Sequence, residues 1–150
     1  MAAIRSRDTK PEMLIRSGLH RQGFRFRLHD RSIPGTPDIV LKRYRALIDI
    51  RSCFFHGHDC DLFRWPKTRT EFWRSKIDGN RLRDTHTHSL QSELGWRVAI
   101  IWECSLKGRN RIGIDAIVER LSLWFISNER GIEITGDGAV PDGSYDADHQ

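Results

Sequence analysis

The chain has 150 residues, enough for one domain that buries its own core. Its formal charge of +5 is uneven: residues 1–128 hold 24 Lys/Arg against 14 Asp/Glu, a net +10, while residues 129–150 hold six acids and Arg130 alone. The basic body points to a polyanion partner, most simply nucleic acid. The lack of a membrane-length apolar run and of a signal-peptide core makes a cytoplasmic protein the expectation.

Residues 1–8 read as a basic arm. Thr9-Lys10-Pro11-Glu12 has the form of a capping box, and Leu14, Ile15, Gly18 and Leu19 predict the buried face of a helix ending near Gly23. Phe24 to His29 alternates and predicts a strand with one buried face. Pro34-Gly35-Thr36-Pro37 is a turn that delivers the chain to Asp38. Two apolar runs, 38–41 and 46–50, predict a strand pair around Lys42-Arg43-Tyr44-Arg45. Ser52 to Pro66 has no clean period and reads as an irregular loop. Thr68 and Glu71 form a second capping-box pattern, opening a helical region to about Leu94 with an expected break near Gly79. Trp96 to Trp102 is nearly all apolar and predicts an interior strand. Ile114, Ile117, Val118, Leu121, Trp124 and Phe125 mark a final amphipathic helix. Residues 131–150 are rich in Gly and Asp and read as an acidic, disordered tail after a domain spanning 9–130. The order of elements predicts an α/β fold, a mixed central sheet flanked by helices.

A hairpin turning between Arg43 and Tyr44 puts Asp38 opposite Asp49, where directly opposed Cβ atoms lie about 5 Å apart. Two carboxylates that close repel unless a cation separates them, and a hard ion such as Mg²⁺ takes oxygen ligands. The alternative is a surface hairpin whose acids are balanced by Lys42, Arg43 and Arg45. Pro37-Asp38 followed by Asp49-Ile50-Arg51 resembles the PD-(D/E)xK nuclease pattern, with Arg in the Lys place. That resemblance implies metal binding by Asp38, Asp49 and the backbone carbonyl of Ile50.

Cys53, His58 and Cys60 lie within eight residues, and Cys104 follows the apolar strand. Three thiolates and one imidazole make a closed Cys₃His zinc set, which would supply the organiser the 52–66 loop lacks. The alternative is three unrelated buried thiols. Phe54 and Phe55 are either core or an aromatic wedge, and Lys67, Arg69, Lys76 and Arg81 either contact phosphates or are solvated charge.

The segments Gly35-x-Pro37-Asp38, Cys53 to Cys60, Pro66 to Trp73 and Gly95 to Cys104 resemble the very-short-patch-repair (Vsr) DNA mismatch endonucleases, in order and at family-like spacing. The resemblance runs from about Thr9 to Gly108. It implies a restriction-endonuclease-like fold with structural zinc on Cys53, His58, Cys60 and Cys104. It also implies a monomeric enzyme that nicks duplex DNA, with Mg²⁺, 5′ of the T in a T·G mismatch. Other mismatch-repair proteins are further possible partners. Carried over position by position, Asp38 is the metal carboxylate, His56 acts in catalysis, and Glu12 places that histidine or the water at the metal. Phe54, Phe55 and Trp73 match the wedge that enters the duplex. Three positions depart from the family: Arg51-Ser52 replaces a His-Gly pair, Phe54-Phe55 replaces Phe-Trp, and Asp49 replaces an apolar residue. Arg51 cannot act as a base, so a weakened or inactive DNA-binding homologue is one alternative. A restriction-type nuclease on the same scaffold is another. The leading expectation is a retained nuclease in which Asp49 adds a metal ligand and Arg51 steadies charge on the phosphate.

Overall fold

Thr9 starts the first helix, α1 (Lys10–Arg21), by accepting the Glu12 N–H on Oγ1 at 3.4 Å, with Pro11 in the first turn. Ile15 and Leu19 are fully buried along its inner face, whereas Leu14, expected to be buried, is 39% exposed. The computed structural model describes residues 9–137, so the expected basic arm at 1–8 lies outside the described residues.

Five strands follow: β1 (Arg27–Leu28), β2 (Ile39–Leu41), β3 (Ala46–Arg51), β4 (Arg97–Trp102) and β5 (Gly131–Ile134). They lie side by side in chain order, antiparallel from β1 to β3 and parallel from β3 to β5. The mixed sheet is as expected, with two corrections. The alternating segment 24–29 pairs only at Arg27 and Leu28, because Phe24 turns instead into an aromatic corner with Tyr44 and Phe125, and Phe26 packs against the same core cluster. Residues 131–134 are not tail: they pair with Val98–Ile101 and bury Ile134 completely. Residues 138–150 of the expected tail lie outside the described residues.

A 3₁₀ turn, Lys42–Tyr44, closes the β2–β3 hairpin, with Arg45 in the left-handed region at φ +53. Ile39 then pairs with Ile48, and the next step of the same register sets Asp38 opposite Asp49. The connection from β3 to β4 contains α2 (Thr70–Glu93), as a parallel crossover requires. This helix is unbroken at Gly79, where an added methyl would meet nothing within 4 Å. Its residue before the first turn is Arg69, not Thr68, and Thr70 Oγ1 donates back to the Pro66 carbonyl. The expected second capping box therefore does not form.

Both sheet faces are covered, which explains the unbroken apolar strands. On one face, α1 and α3 (Ile114–Phe125) pack over Ile39, Leu41, Ile48, Ala99 and Ile101. Gly18 allows that contact, since a Cβ there would sit 2.7 Å from Val118 Cγ2. On the other face, Val40, Leu47, Val98, Ile100 and Trp102 alternate with the first set and pack against Cys53 and Cys104. Arg97 ties the far end together, donating to the carbonyls of Tyr44, Trp124, Phe125 and Glu129. No helix among the described residues is long and apolar enough to cross a membrane.

Candidate metal centre and active site

The Ser52–Pro66 loop folds around its thiols. One donor atom each from Cys53, His58, Cys60 and Cys104 lies within 4.8 Å of all the others. His58 Nδ1 faces Cys53 Sγ at 3.5 Å and Cys104 Sγ at 3.6 Å. All three thiols are free; Cys53, His58 and Cys104 are buried and Cys60 is half-buried. The hydrogen bond between Cys53 and Cys104 splits the pair, raising the Cys53 pKa and lowering that of Cys104 to about 4. Burial raises Cys60.

Backbone donors surround the sulfurs. Cys104 N–H points at Cys53 Sγ (3.3 Å), Leu62 N–H at Cys60 Sγ (3.4 Å) and Gly136 N–H at Cys104 Sγ (3.3 Å). Thiolates gain from such donors. Three sulfurs and one imidazole, closely spaced and shielded, fit a four-coordinate structural zinc. Trp102 seals the cluster from the sheet side, its indole stacked on His58 with centroids 4.1 Å apart and planes at 5°.

The acids gather at the neighbouring ends of β2 and β3. Asp38 Oδ2 accepts the Ile50 N–H at 2.8 Å. Burial, then the charge of Asp49, raises the Asp38 pKa to about 8. Asp49 is half-exposed and accepts Arg51 Nε at 2.9 Å. Arg51 is buried, and its guanidinium also lies 5.7 Å from the Trp102 ring centroid. Glu12, 1% exposed, comes from α1 to contact Arg16 and to meet His29 Nε2 at 2.8 Å. A cleft of about 710 Å³ opens beside this group, lined by Ile50, Arg51, Phe55, His56, Lys76 and Glu103 among others.

His56 lies on that cleft with its Nδ1 hydrogen-bonded to Asp84 of α2. A carboxylate on Nδ1 fixes the ring and leaves Nε2 for proton exchange. Asn80, one turn earlier, donates Nδ2 to the Phe55 carbonyl at 2.8 Å, so α2 braces the loop at two points. Phe54 contacts Phe55, Phe63 and Trp73, with centroids 5.2, 6.0 and 5.3 Å away, in an aromatic patch that is only partly covered. Arg69 lies over Phe72 at 4.1 Å and Arg74 over Trp65 at 4.3 Å, and Lys67 is exposed beside them.

The structure thus collects Glu12, Asp38, Asp49, Arg51 and His56 around one end of the sheet, with Phe54, Phe55, Trp73, Lys67 and Arg69 on the adjoining loop and helix. Sequence reasoning missed His29, Asp84 and Gly136. Asp84 carries a signal: Ile77, Asn80, Asp84, His88 and Gln91 share one helical stripe, and a polar residue on a buried stripe has a partner to meet.

A family profile described as DNA mismatch endonuclease Vsr matches residues 1–62. The chain is 46% identical over 138 residues to the DNA mismatch endonuclease Vsr of Escherichia coli (strain K12), covering 92% of this chain and 88% of that protein. It is 45% identical over 106 residues to the type II nicking enzyme V.XorIIP of Xanthomonas oryzae pv. oryzae, covering 71% and 78%. It is 42% identical over 109 residues to the type II nicking enzyme V.NmeAIP of Neisseria meningitidis serogroup A, covering 73% and 78%.

Proposed function

The chain belongs to the Vsr family of DNA mismatch endonucleases, and from that premise we propose that it nicks one strand of duplex DNA 5′ of the T in a T·G mismatch. The observation that carries this reading is the opposition of Asp38 and Asp49 on neighbouring strands, with Asp38 bonded to Ile50 N–H, beside a cleft lined by Ile50, Arg51 and His56, the last held by Asp84. The reading includes a restriction-endonuclease-like arrangement of the mixed sheet, a structural zinc on Cys53, His58, Cys60 and Cys104, and a monomer acting in the cytoplasm.

The reaction is hydrolysis of a phosphodiester: water adds to phosphorus, one P–O bond breaks, and the departing oxygen takes a proton. Asp38 and Asp49, with the Ile50 carbonyl, would hold Mg²⁺, which when bound offsets negative charge on the phosphate. His56 exchanges the proton through Nε2, oriented by Asp84 as a carboxylate orients a catalytic imidazole. Arg51 lines the same cleft and adds fixed positive charge, its direction set by Asp49. Phe54, Phe55 and Trp73 form the apolar wedge beside the mismatch, and Lys67 and Arg69 flank it to meet phosphates.

A second reading, a DNA-binding homologue with weakened or no cleavage, draws on Arg51 being buried and ion-paired where the family resemblance expects a histidine. One assay separates the readings. Zinc-loaded protein with Mg²⁺ is given three versions of one duplex, carrying T·G, A·T or G·C at the same place. Nicking confined to the T·G duplex is expected. Cutting of all three indicates a sequence-specific nuclease, and binding without cutting indicates the inactive homologue.

A further inference from the structure

We propose that Glu12, His29 and Asp38 form a mixed nitrogen–oxygen site for a first-row divalent cation, and that His29 makes this site prefer Mn²⁺ to Mg²⁺. The proposal rests on Asp38 being the ion-binding carboxylate of the reading above. It goes further in naming an imidazole ligand and the ion that imidazole selects.

The sheet register brings the residues together. Leu28 pairs with Ile39, and one step on His29 N–H donates to the Asp38 carbonyl at 3.2 Å. The β2–β3 register places Asp49 opposite Asp38 from the other side. His29, Asp38 and Asp49 therefore occupy one row across three adjacent chain segments. Glu12 reaches the row from the first turn of α1. One donor atom from each of Glu12, His29 and Asp38 lies within 4.8 Å of the other two, and Glu12 Oε2 is 2.8 Å from His29 Nε2. Adjacent ligands on one octahedral ion sit about 3 Å apart when the metal–ligand bonds are near 2.1 Å.

The surroundings favour a fixed site. The Glu12 and His29 side chains are 2% and 10% exposed, so their geometry is set by packing. His29 takes φ +48, a left-handed conformation that costs a histidine on the order of 1 kcal/mol and persists only where neighbouring contacts impose it. Arg16 contacts Glu12 and orients its carboxylate, as the outer partners of ligating carboxylates do.

Donor chemistry then selects the ion. Mg²⁺ takes oxygen ligands and keeps much of its water. An imidazole nitrogen favours first-row transition ions, and two carboxylates keep the site hard enough for Mn²⁺. The softer Cys₃His set nearby is the better trap for zinc, so the two clusters divide the ions between them.

The test uses full-length protein with zinc in the Cys₃His site and other ions removed. Mn²⁺ is titrated by electron paramagnetic resonance, and Mg²⁺ is added in competition. The expected result is one Mn²⁺ per chain, bound at least about tenfold more tightly than Mg²⁺. Pulsed measurements on wild-type protein should show coupling of bound Mn²⁺ to one ¹⁴N, a readout that needs no variant to fold. His29→Gln should weaken Mn²⁺ at least about tenfold and Mg²⁺ far less. No ¹⁴N coupling, no preference for Mn²⁺, or an unchanged preference in folded His29→Gln protein each overturns the proposal. Nicking without ¹⁴N coupling sinks this inference and leaves the nuclease reading standing. Coupling without nicking in either ion does the reverse.

Discussion

Cys53, His58, Cys60 and Cys104 on one side, and Glu12, His29 and Asp38 on the other, each gather their donors within 4.8 Å, but by opposite routes. Three of the four soft donors come from eight consecutive residues, lie against Trp102 and are met by backbone N–H groups. The hard donors come from a helix, a strand end and a turn, brought together by long-range packing. In the first cluster the protein around the donors stabilises them. In the second, burial and like charge hold Asp38 protonated up to about pH 8. A cluster whose charges are satisfied from all sides suits structure. One that carries unrelieved repulsion is poised for an ion that works.

The largest expected effect lies in the first cluster. Cys104 brings the end of β4 to the loop, so Cys104→Ser removes the donor that would join two parts of the fold through a bound zinc. Apparent binding energies for structural zinc are about 10–16 kcal/mol, and that energy appears as folding energy. The variant should lose several kcal/mol of stability by denaturant unfolding and retain less zinc by elemental analysis. Asp38→Asn, by contrast, should leave stability nearly intact or improved. Equal losses in the two variants would erase the distinction drawn between the clusters.

The first cluster was legible in the sequence because its chemistry is local: two thiols and an imidazole in one short loop announce each other. Asp38 and Asp49 were legible because a tight turn sets the pairing on both of its sides. His29 was not, since its role depends on β1 pairing with β2 and on a left-handed residue that no pattern marks. Asp84 lies 28 residues from His56, on a helix expected to break at Gly79. A break there loses the phase that carries the stripe from Ile77 to Asp84. Residues 131–134 read as tail because Gly131 and Glu133 dilute a short strand. Its burial comes from a parallel neighbour more than thirty residues earlier in the chain.

A smaller effect tests how β5 supports the Cys₃His loop. An added Cβ at Gly136 would lie 2.5 Å from the Cys104 carbonyl oxygen and 2.9 Å from that of Asn110, both backbone atoms that move only with their segments. Gly136→Ala should therefore cost about 1–3 kcal/mol, the usual range for overpacking. It should also shift the N–H that now meets Cys104 Sγ, so zinc should leave faster under a chelator. Unchanged stability with faster zinc loss would show that the segment after β5 serves the metal alone. Unchanged values of both would detach it from the cluster.

The smallest effect probes the stored repulsion through Asp49→Asn, which removes the charge while keeping an oxygen for Arg51 Nε. The folded pKa of Asp38 is raised from 3.8 to about 8, first by burial and next by Asp49. A carboxyl with a raised folded pKa contributes stability that is full below its unfolded pKa and is lost as pH rises through the folded one. Wild-type protein without divalent ions should therefore weaken as pH climbs from about 4 towards 8 and level off above that. Removing the Asp49 charge lowers the Asp38 pKa, so less of that stability is there to lose. Asp49→Asn should gain on wild type between about pH 6 and pH 9, reaching roughly 1 kcal/mol for each pKa unit removed. Adding Mg²⁺ or Mn²⁺ should cancel the gain, because the ion relieves in wild type the repulsion that the variant lacks. Thermal melts of zinc-loaded protein across that range, with and without the second ion, measure both halves. A difference that is flat with pH would mean that the two carboxylates do not sense each other, and the cluster would lose the repulsion that sets it apart from the thiolate site.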